Sequence, residues 1–154
     1  MRVQLVGQSN LFLQAALQTS NQVEVVTVSP EEYTGGEGYD LTVFDAQSAP
    51  IPATGNAVYV NVQDGPVPFR VKGTVPSGVL RVPGAVKQHA LMRFVKFVDL
   101  EAETIQRFRP QKGDRIMTRD RRGRPAILAH SDGQSRWIAI GFDPVSTEWV
   151  GHYS

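Results

Sequence analysis

The chain has 154 residues, of which 41% are hydrophobic and 20% are charged, and its formal net charge at pH 7 is +1. That length suits one domain with its own hydrophobic core, and the composition excludes a chain that is disordered throughout. The chain contains no cysteine, which excludes disulfide bonds, thiolate metal sites and cysteine nucleophiles together.

The beginning of the chain predicts a strand, a helix and a second strand. Residues 2–7 predict a short buried strand, and Ser9 and Asn10 offer an N-cap for the helix formers at 11–17. Apolar side chains all round this helix predict that it is heavily buried. The β-branched residues at 23–28 predict the second strand. Such a unit predicts two parallel strands joined by a right-handed crossover.

Two more strands and a less regular middle follow. Residues 29–32 predict one helical turn, and residues 39–46 and 57–62 predict the third and fourth strands. The stretch 63–83 is rich in proline and glycine, which predicts irregular chain with one or two short strands. Residues 86–97 mix helix formers with apolar residues and predict a short helix or a turn that packs on the edge of the sheet.

The last third of the chain predicts an antiparallel meander. Its strand candidates are residues 115–118, 125–130 and 136–142. The connecting residues at 120–123 and 131–134 are typical turn formers, so consecutive strands are expected to pair with each other.

Several segments along the chain carry a family resemblance: NLFLQAAL at 10–17, VEV at 23–25, VSPEEY at 28–33, YDLTVFD at 39–45, HALMRFV at 89–95, and IAIGFD at 138–143 with Trp149. Together they resemble the C-terminal region of bacterial von Willebrand factor A (VWA) domain membrane proteins of the aerotolerance type. That region is similar to class I glutamine amidotransferases. One departure is Ala90, which stands where the family's His-Pro-Leu segment has its proline.

The resemblance implies an α/β fold, a flavodoxin-like three-layer sandwich with N-terminal parallel strands and a C-terminal antiparallel meander. Residues 1–154 are then expected to be a single amidotransferase-like domain, excised from a longer membrane-anchored protein that carries the VWA domain. No run of ~18–20 apolar residues and no signal-peptide layout occurs, so a soluble domain is expected. The parent is expected in the bacterial cell membrane, on a side that the sequence leaves open.

The position of a catalytic nucleophile leads to the main functional prediction. In the resemblance, the tight turn that holds an amidotransferase cysteine falls at residues 61–65, and no residue there can form a thioester. Asp64 is expected to be a turn former. The consecutive residues His130, Ser131 and Asp132 point in different directions at a strand end, which predicts a turn and not a catalytic triad. A non-catalytic domain is therefore expected.

Neither a metal ion nor a cofactor is expected. The histidines are His89, His130 and His152, and nothing in their spacing suggests that two of them converge with carboxylates, as such a site requires. The first strand leads into Gly7 with no lysine nearby, so neither a phosphate-loop nor a dinucleotide-binding fingerprint is present.

A small-molecule site is expected, if present, in the crevice at the carboxyl ends of the parallel strands, as in other open α/β sheets. Its candidates follow those strands and are Ser9, Asn10, Asp45, Asn61, Gln63 and Asp64. The first two can also bind an anion at a helix N-terminus, although ordinary capping is the simpler explanation.

Charge is unevenly distributed along the chain. Residues 1–69 contain one basic and seven acidic residues, whereas residues 70–154 contain fifteen and eight. The basic segment 107–124 suggests a β-ribbon that binds nucleic acid or anionic lipid headgroups. Its candidate anion-binding residues are Arg115, Arg119, Arg121, Arg122 and Arg124. The alternative is a solvated hairpin tip that prevents aggregation at a sheet edge.

Three hypotheses follow from the sequence. The leading one is a non-catalytic amidotransferase-like domain that serves as a protein-interaction or structural module, with another protein or the VWA domain of its parent as the partner. The second is anion or nucleic-acid binding through residues 107–124. The third is small-molecule sensing in the sheet crevice.

Overall fold

The computed structural model describes residues 1–8, 10–84 and 100–144. The predicted helix or turn at 86–97, with His89, and the C-terminal Trp149 and His152 lie outside these residues. The elements in chain order are β1 (Arg2–Val6), α1 (Leu11–Leu17), β2 (Glu24–Val28), a 3₁₀ turn (Pro30–Glu32), β3 (Leu41–Asp45), β4 (Asn56–Val60), β5 (Arg70–Pro76), β6 (Thr104–Arg109), β7 (Asp114–Arg119), β8 (Pro125–Ser131) and β9 (Arg136–Ile140).

Seven of these strands form one mixed sheet in the order β2-β1-β3-β4-β9-β8-β7. Strands β2, β1, β3, β4 and β9 run parallel to each other, and β8 and β7 continue the sheet antiparallel. The order 2-1-3-4 followed by a further parallel strand is that of flavodoxin-like sheets. The predicted fold class is therefore confirmed: parallel strands from the N-terminal half, with an antiparallel C-terminal meander.

Alternating side chains of the parallel strands serve two separate cores, one on each face of the sheet. On one face, Phe44 stacks on Tyr59 with ring centroids 5.0 Å apart, and Phe69 contacts Tyr59 edge-on at 5.2 Å. On the other face, Val3, Leu5, Val43 and Val60 pack with Leu13 and Leu17 of α1. The sheet is thus the middle layer, between α1 and a layer that contains Phe69 and the β5–β6 ribbon.

The predicted helix forms where expected, but the prediction that it is heavily buried is wrong. Asn10 caps it, because its side-chain oxygen accepts a hydrogen bond from the Leu13 amide at 3.1 Å. No residue of α1 is buried, and Leu11 and Phe12 keep 74% and 61% of their surface exposed. A helix of seven residues makes only about two turns, so one side alone reaches the sheet. Within the described residues, no helix is long and apolar enough to span a bilayer.

The basic segment 107–124 does not form one ribbon, which corrects the sequence-based expectation. Strand β6 pairs with β5 in a separate two-stranded sheet, whereas β7 lies at the edge of the large sheet. The sequence does not predict β6 because both Ile105 and Gln106 are buried, which breaks the alternation of a half-buried strand. Within the stretch 63–83, β5 is the one regular strand, and Arg81 forms an isolated bridge to Arg119.

Candidate functional site

The carboxyl ends of β1, β3, β4 and β9 meet at one edge of the sheet and form a crevice. After β1 the chain crosses to β2 on one side and then returns to β3 on the other side, so β1 and β3 flank a topological switch point. Ligands of open α/β proteins bind at such points. A cavity of about 510 Å³ lies here, lined by Gln8, Asn10, Leu11, Phe12, Asp45, Ala46, Asn61 and Asp143.

The backbone at this edge turns sharply as each strand ends. Ala46 and Asn61, the residues directly after β3 and β4, have φ angles of 58° and 52°, a left-handed conformation that is uncommon for residues with a side chain. Their amides donate 2.8 Å hydrogen bonds to Val60 and Ile140 of the neighbouring strands, which hold both turns in place. Such conformations cluster at functional sites, where the surrounding structure maintains them.

Gly7 brings the end of β1 against the end of β3. A Cβ atom on this glycine would lie 2.9 Å from the carbonyl oxygen of Asp45 and 3.1 Å from its Cβ. The glycine therefore permits the close approach that places Asn10 beside Asp45, and the two side chains hydrogen-bond to each other. Asn10 thus caps α1 and contacts the crevice carboxylate at the same time.

Asp45 carries a carboxyl group whose ionisation is disfavoured. Burial raises its pKa above the usual value of 3.8, and the nearby carboxylate of Asp143 raises it further, while the hydrogen bond from Asn10 acts in the opposite direction. A carboxyl group with a raised pKa in a crevice is a common property of binding and catalytic sites.

The side chain of Asn61 accepts a hydrogen bond from a residue of the two-stranded sheet. The amide nitrogen of Gln106, on β6, donates to the side-chain oxygen of Asn61 at 3.2 Å. Gln106 is only 1% exposed, and its own side-chain oxygen is buried without a partner in the part of the chain that the structure describes. This contact holds the side chain of Asn61 in one orientation at the edge of the crevice.

The predicted crevice residues divide into two neighbouring sites. Asn10, Asp45 and Asn61 line the same cavity. Gln63 and Asp64 instead line an adjoining cavity of about 470 Å³, which shares Ala46 and Asn61 with the first. Ser9, the remaining candidate, lies outside the described residues.

Sequence reasoning missed six residues that line or support the crevice: Gln8, Leu11, Phe12, Ala46, Gln106 and Asp143. Asp143 comes shortly after β9, just as Asp45 stands at the end of β3. The rule that ligands bind at the carboxyl ends of parallel strands would therefore have identified Asp143 if the pairing of β9 with β4 had been known. No sequence signal indicates Gln106, because its role depends on the contact between two sheets.

His130 lies in a separate cluster at the start of β7 and the end of β8. Its Nδ1 atom is 2.9 Å from a carboxylate oxygen of Asp114, its Nε2 atom is 3.4 Å from Asp132, and its ring stacks on Trp137. The hydrogen bond with Asp114 raises the pKa of His130, and the bond with Asp132 adds to this effect.

The predicted turn at residues 131–134 is present, and it explains why His130 and Asp132 are close. Asp132 accepts hydrogen bonds from the amides of Gln134 and Ser135, which lower its pKa to about 2. The Ser135 hydroxyl contacts Asp132 at 3.3 Å, and among the described residues the hydrogen bonds of the His130 ring go to carboxylates and not to a hydroxyl. The arrangement therefore lacks the nucleophile–base contact of a catalytic triad.

The candidate anion-binding arginines have different roles in the structure. Arg119 donates to the carbonyl of Gly123 at 2.7 Å, and Arg124 binds the Asp120 carboxylate at 2.7 Å, so both stabilise the turn between β7 and β8. Arg121 and Arg122 are exposed at the tip of that turn. Arg115 lies apart from them and lines a cavity of about 510 Å³ beside His130 and Arg136.

Comparisons with known proteins give the fold and nothing about the activity. No family model and no curated protein matches the chain. Among solved structures, it is similar to the cytoplasmic protein STM1381 from Salmonella typhimurium LT2, with a TM-score of 0.70, 10% identity, and coverage of 94% of this chain and 89% of that one. It is also similar to the cytoplasmic protein STM3548 from Salmonella typhimurium, with a TM-score of 0.67, 7% identity, and coverage of 92% and 87%. These likenesses define an α/β domain of flavodoxin-like topology.

Within the described residues, no cluster of three or more histidines and carboxylates could hold a metal ion.

Proposed function

We propose that this chain is a non-catalytic, amidotransferase-like domain of a larger VWA-containing membrane protein, and that it acts as a protein-interaction module. The observation that carries the proposal is the crevice, in which an amide stands at the turn where an amidotransferase would hold its nucleophile. The family resemblance supplies the expected parent protein and its VWA domain.

Asn61 supports the non-catalytic part of the proposal. It has the left-handed backbone expected of a tight strand-to-loop turn, and it projects from the end of β4. A carboxamide is not a nucleophile, and Gln106 engages its oxygen. The other polar groups of the cavity are amides and carboxylates, which suit hydrogen bonding to a partner.

Leu11 and Phe12 support the interaction part of the proposal. These two large apolar side chains are more than half exposed and line the cavity next to Asn10 and Asp45. Apolar and aromatic anchors beside hydrogen-bonding groups are typical of the centre of a protein interface. We therefore place the partner-binding face at the rim of the crevice.

The test is an association measurement between this domain and the VWA-containing remainder of its parent, expressed as separate polypeptides. Isothermal titration calorimetry is expected to detect binding, and Leu11→Ser or Phe12→Ser to weaken it by about tenfold or more. Ile51→Ser is the matched control, because Ile51 is an exposed apolar residue that does not line the crevice. If all three variants bind equally well, the crevice rim is not the interface.

A small polar ligand in the crevice is the second candidate function, and the raised pKa of Asp45 favours it. The Asp45 carboxyl group, two asparagine side chains and a cavity of about 510 Å³ can together bind a small molecule through several hydrogen bonds. A metabolite screen by thermal shift tests this alternative. A ligand that stabilises the native protein but not Asn61→Ala would support it, and the absence of any stabilising metabolite class would contradict it.

A further inference from the structure

The pairing of β5 with β6 brings together four positively charged side chains that are far apart in the sequence. Arg70 lies directly opposite Arg109, and Val71 lies opposite Phe108. Because side chains alternate along a strand, Lys72 and Arg107 share the outer face with the first pair. Val71 and Phe108 point inward and pack in the core, whereas all four basic side chains are exposed.

Among the residues that the structure describes, no acidic side chain forms an ion pair with this face. Neither β5 nor β6 contains an acidic residue, and within the described residues no salt bridge reaches any of the four cations. By contrast, Arg2 and Arg124 pair with the carboxylates of Glu24 and Asp120. Like charges placed directly opposite each other on neighbouring strands are destabilising, so this face has an unfavourable electrostatic energy that a bound anion would relieve.

The chemistry of the face favours phosphate as that anion. Three of the four cations are arginines, whose planar guanidinium groups bind phosphate oxygens through two parallel hydrogen bonds. The ribbon's one aromatic residue, Phe108, is buried, so stacking on unpaired bases is not available here. A phosphate backbone whose bases are paired does not require such stacking.

The shape of the ribbon favours a nucleic-acid duplex over a lipid bilayer. Two-stranded ribbons twist strongly, and the register shift between Val71 and Thr74, with Gly73 at a φ of 71°, increases the twist. The cations therefore follow a curved path, which suits a winding phosphate strand better than a planar surface. We propose that the outer face of the β5–β6 ribbon, through Arg70, Lys72, Arg107 and Arg109, binds the backbone of double-stranded nucleic acid without reading its sequence.

The proposal is tested with the 154-residue chain and a fluorescently labelled duplex, by anisotropy at several salt concentrations. Four phosphate contacts predict a slope of log K against log salt of about −3.6, and Arg70→Gln with Arg109→Gln should reduce it to about −1.8. Arg121→Gln with Arg122→Gln is the control, because it removes the same charge from exposed positions on another turn. This control is expected to leave the slope unchanged.

A second pair, Lys72→Gln with Arg107→Gln, should reduce the slope as much as the first pair and decides the question if the first variant does not fold. The melting temperature of the first variant is expected not to fall, because the change removes a like-charge contact. The proposal is overturned by the absence of duplex binding at low salt, or by an equal loss in the control. Binding to phosphatidylserine vesicles without binding to the duplex would also overturn it and would assign the face to a membrane.

Discussion

At the scale of single residues, Asp45 is a crevice carboxylate whose ionisation lowers the stability of the fold. Its carboxyl group is partly buried beside Asp143, and its pKa is raised mainly by burial. A raised folded-state pKa means that the protonated form is the better accommodated one. The stability it contributes is therefore complete below the unfolded value of 3.8 and is lost as the pH rises through the folded pKa.

We expect Asp45→Asn to raise the melting temperature at pH 7, because the variant keeps the shape of the side chain and removes the poorly solvated charge. The difference from the native protein should shrink as the pH approaches 3.8 and below, which thermal unfolding at a series of pH values would measure. Asp64→Asn, at an exposed position, is the control and should change little. A lower melting temperature for Asp45→Asn at pH 7 would show that the charged form is stabilising.

His130 gives a second prediction about the pH dependence of stability, in a higher pH range than that of Asp45. Its pKa is raised above 6.5, chiefly by the hydrogen bond with Asp114, so its contribution to stability is complete below pH 6.5 and is lost as the pH rises through the folded pKa. His130→Gln should therefore destabilise the protein more at pH 6 than at pH 9. Denaturant unfolding at the two pH values measures this, and an equal loss at both would exclude a role for the imidazolium charge.

At the scale of elements, the turn between β7 and β8 depends on one buried carboxylate. Asp120 accepts hydrogen bonds from the amides of Arg122 and Arg124 and from the Arg124 side chain, and its own side chain is 2% exposed. Burial alone would raise the pKa of Asp120, but these bonds outweigh it and lower the pKa. The stabilisation is therefore present above pH 3.8 and is lost as the pH falls through the folded pKa.

We expect Asp120→Ala to lower the free energy of unfolding by about 2–3 kcal/mol at pH 7, because it leaves the Arg124 side chain and two amides without their acceptor. Chemical denaturation would measure the loss. Arg121→Ala, on the exposed side of the same turn, should change stability by less than about 0.5 kcal/mol. A similar loss for both variants would mean that the turn is sensitive to any change.

The sequence predicts elements well where they are set by local patterns and poorly where they depend on distant contacts. The Asn10 cap and strands β1 to β4 follow from side-chain type and periodicity over a few residues. The position of β6 does not follow from such a pattern, because two consecutive residues within it are both buried: Ile105 packs in a hydrophobic core, and Gln106 binds Asn61. The burial of α1 was overestimated because the apolar composition of a short helix does not determine how much of its surface packs against the sheet.

At the scale of the whole molecule, the same distinction applies to the candidate site. The rule that ligands bind at carboxyl ends of parallel strands leads to Asn10, Asp45 and Asn61, and the structure brings these three together. Asp143 and Gln106 join them only because β9 pairs with β4 and β6 packs beneath the sheet edge. Such long-range pairings are not encoded in any local pattern.

The central claim is that the crevice binds and does not catalyse, and a turnover assay on the purified chain tests it most directly. With glutamine and a panel of activated esters as substrates, we predict no release of ammonia or alcohol above the buffer blank, and no difference between the native protein and Asp64→Asn or His130→Gln. Sustained turnover by the native protein that either substitution abolishes would contradict the claim.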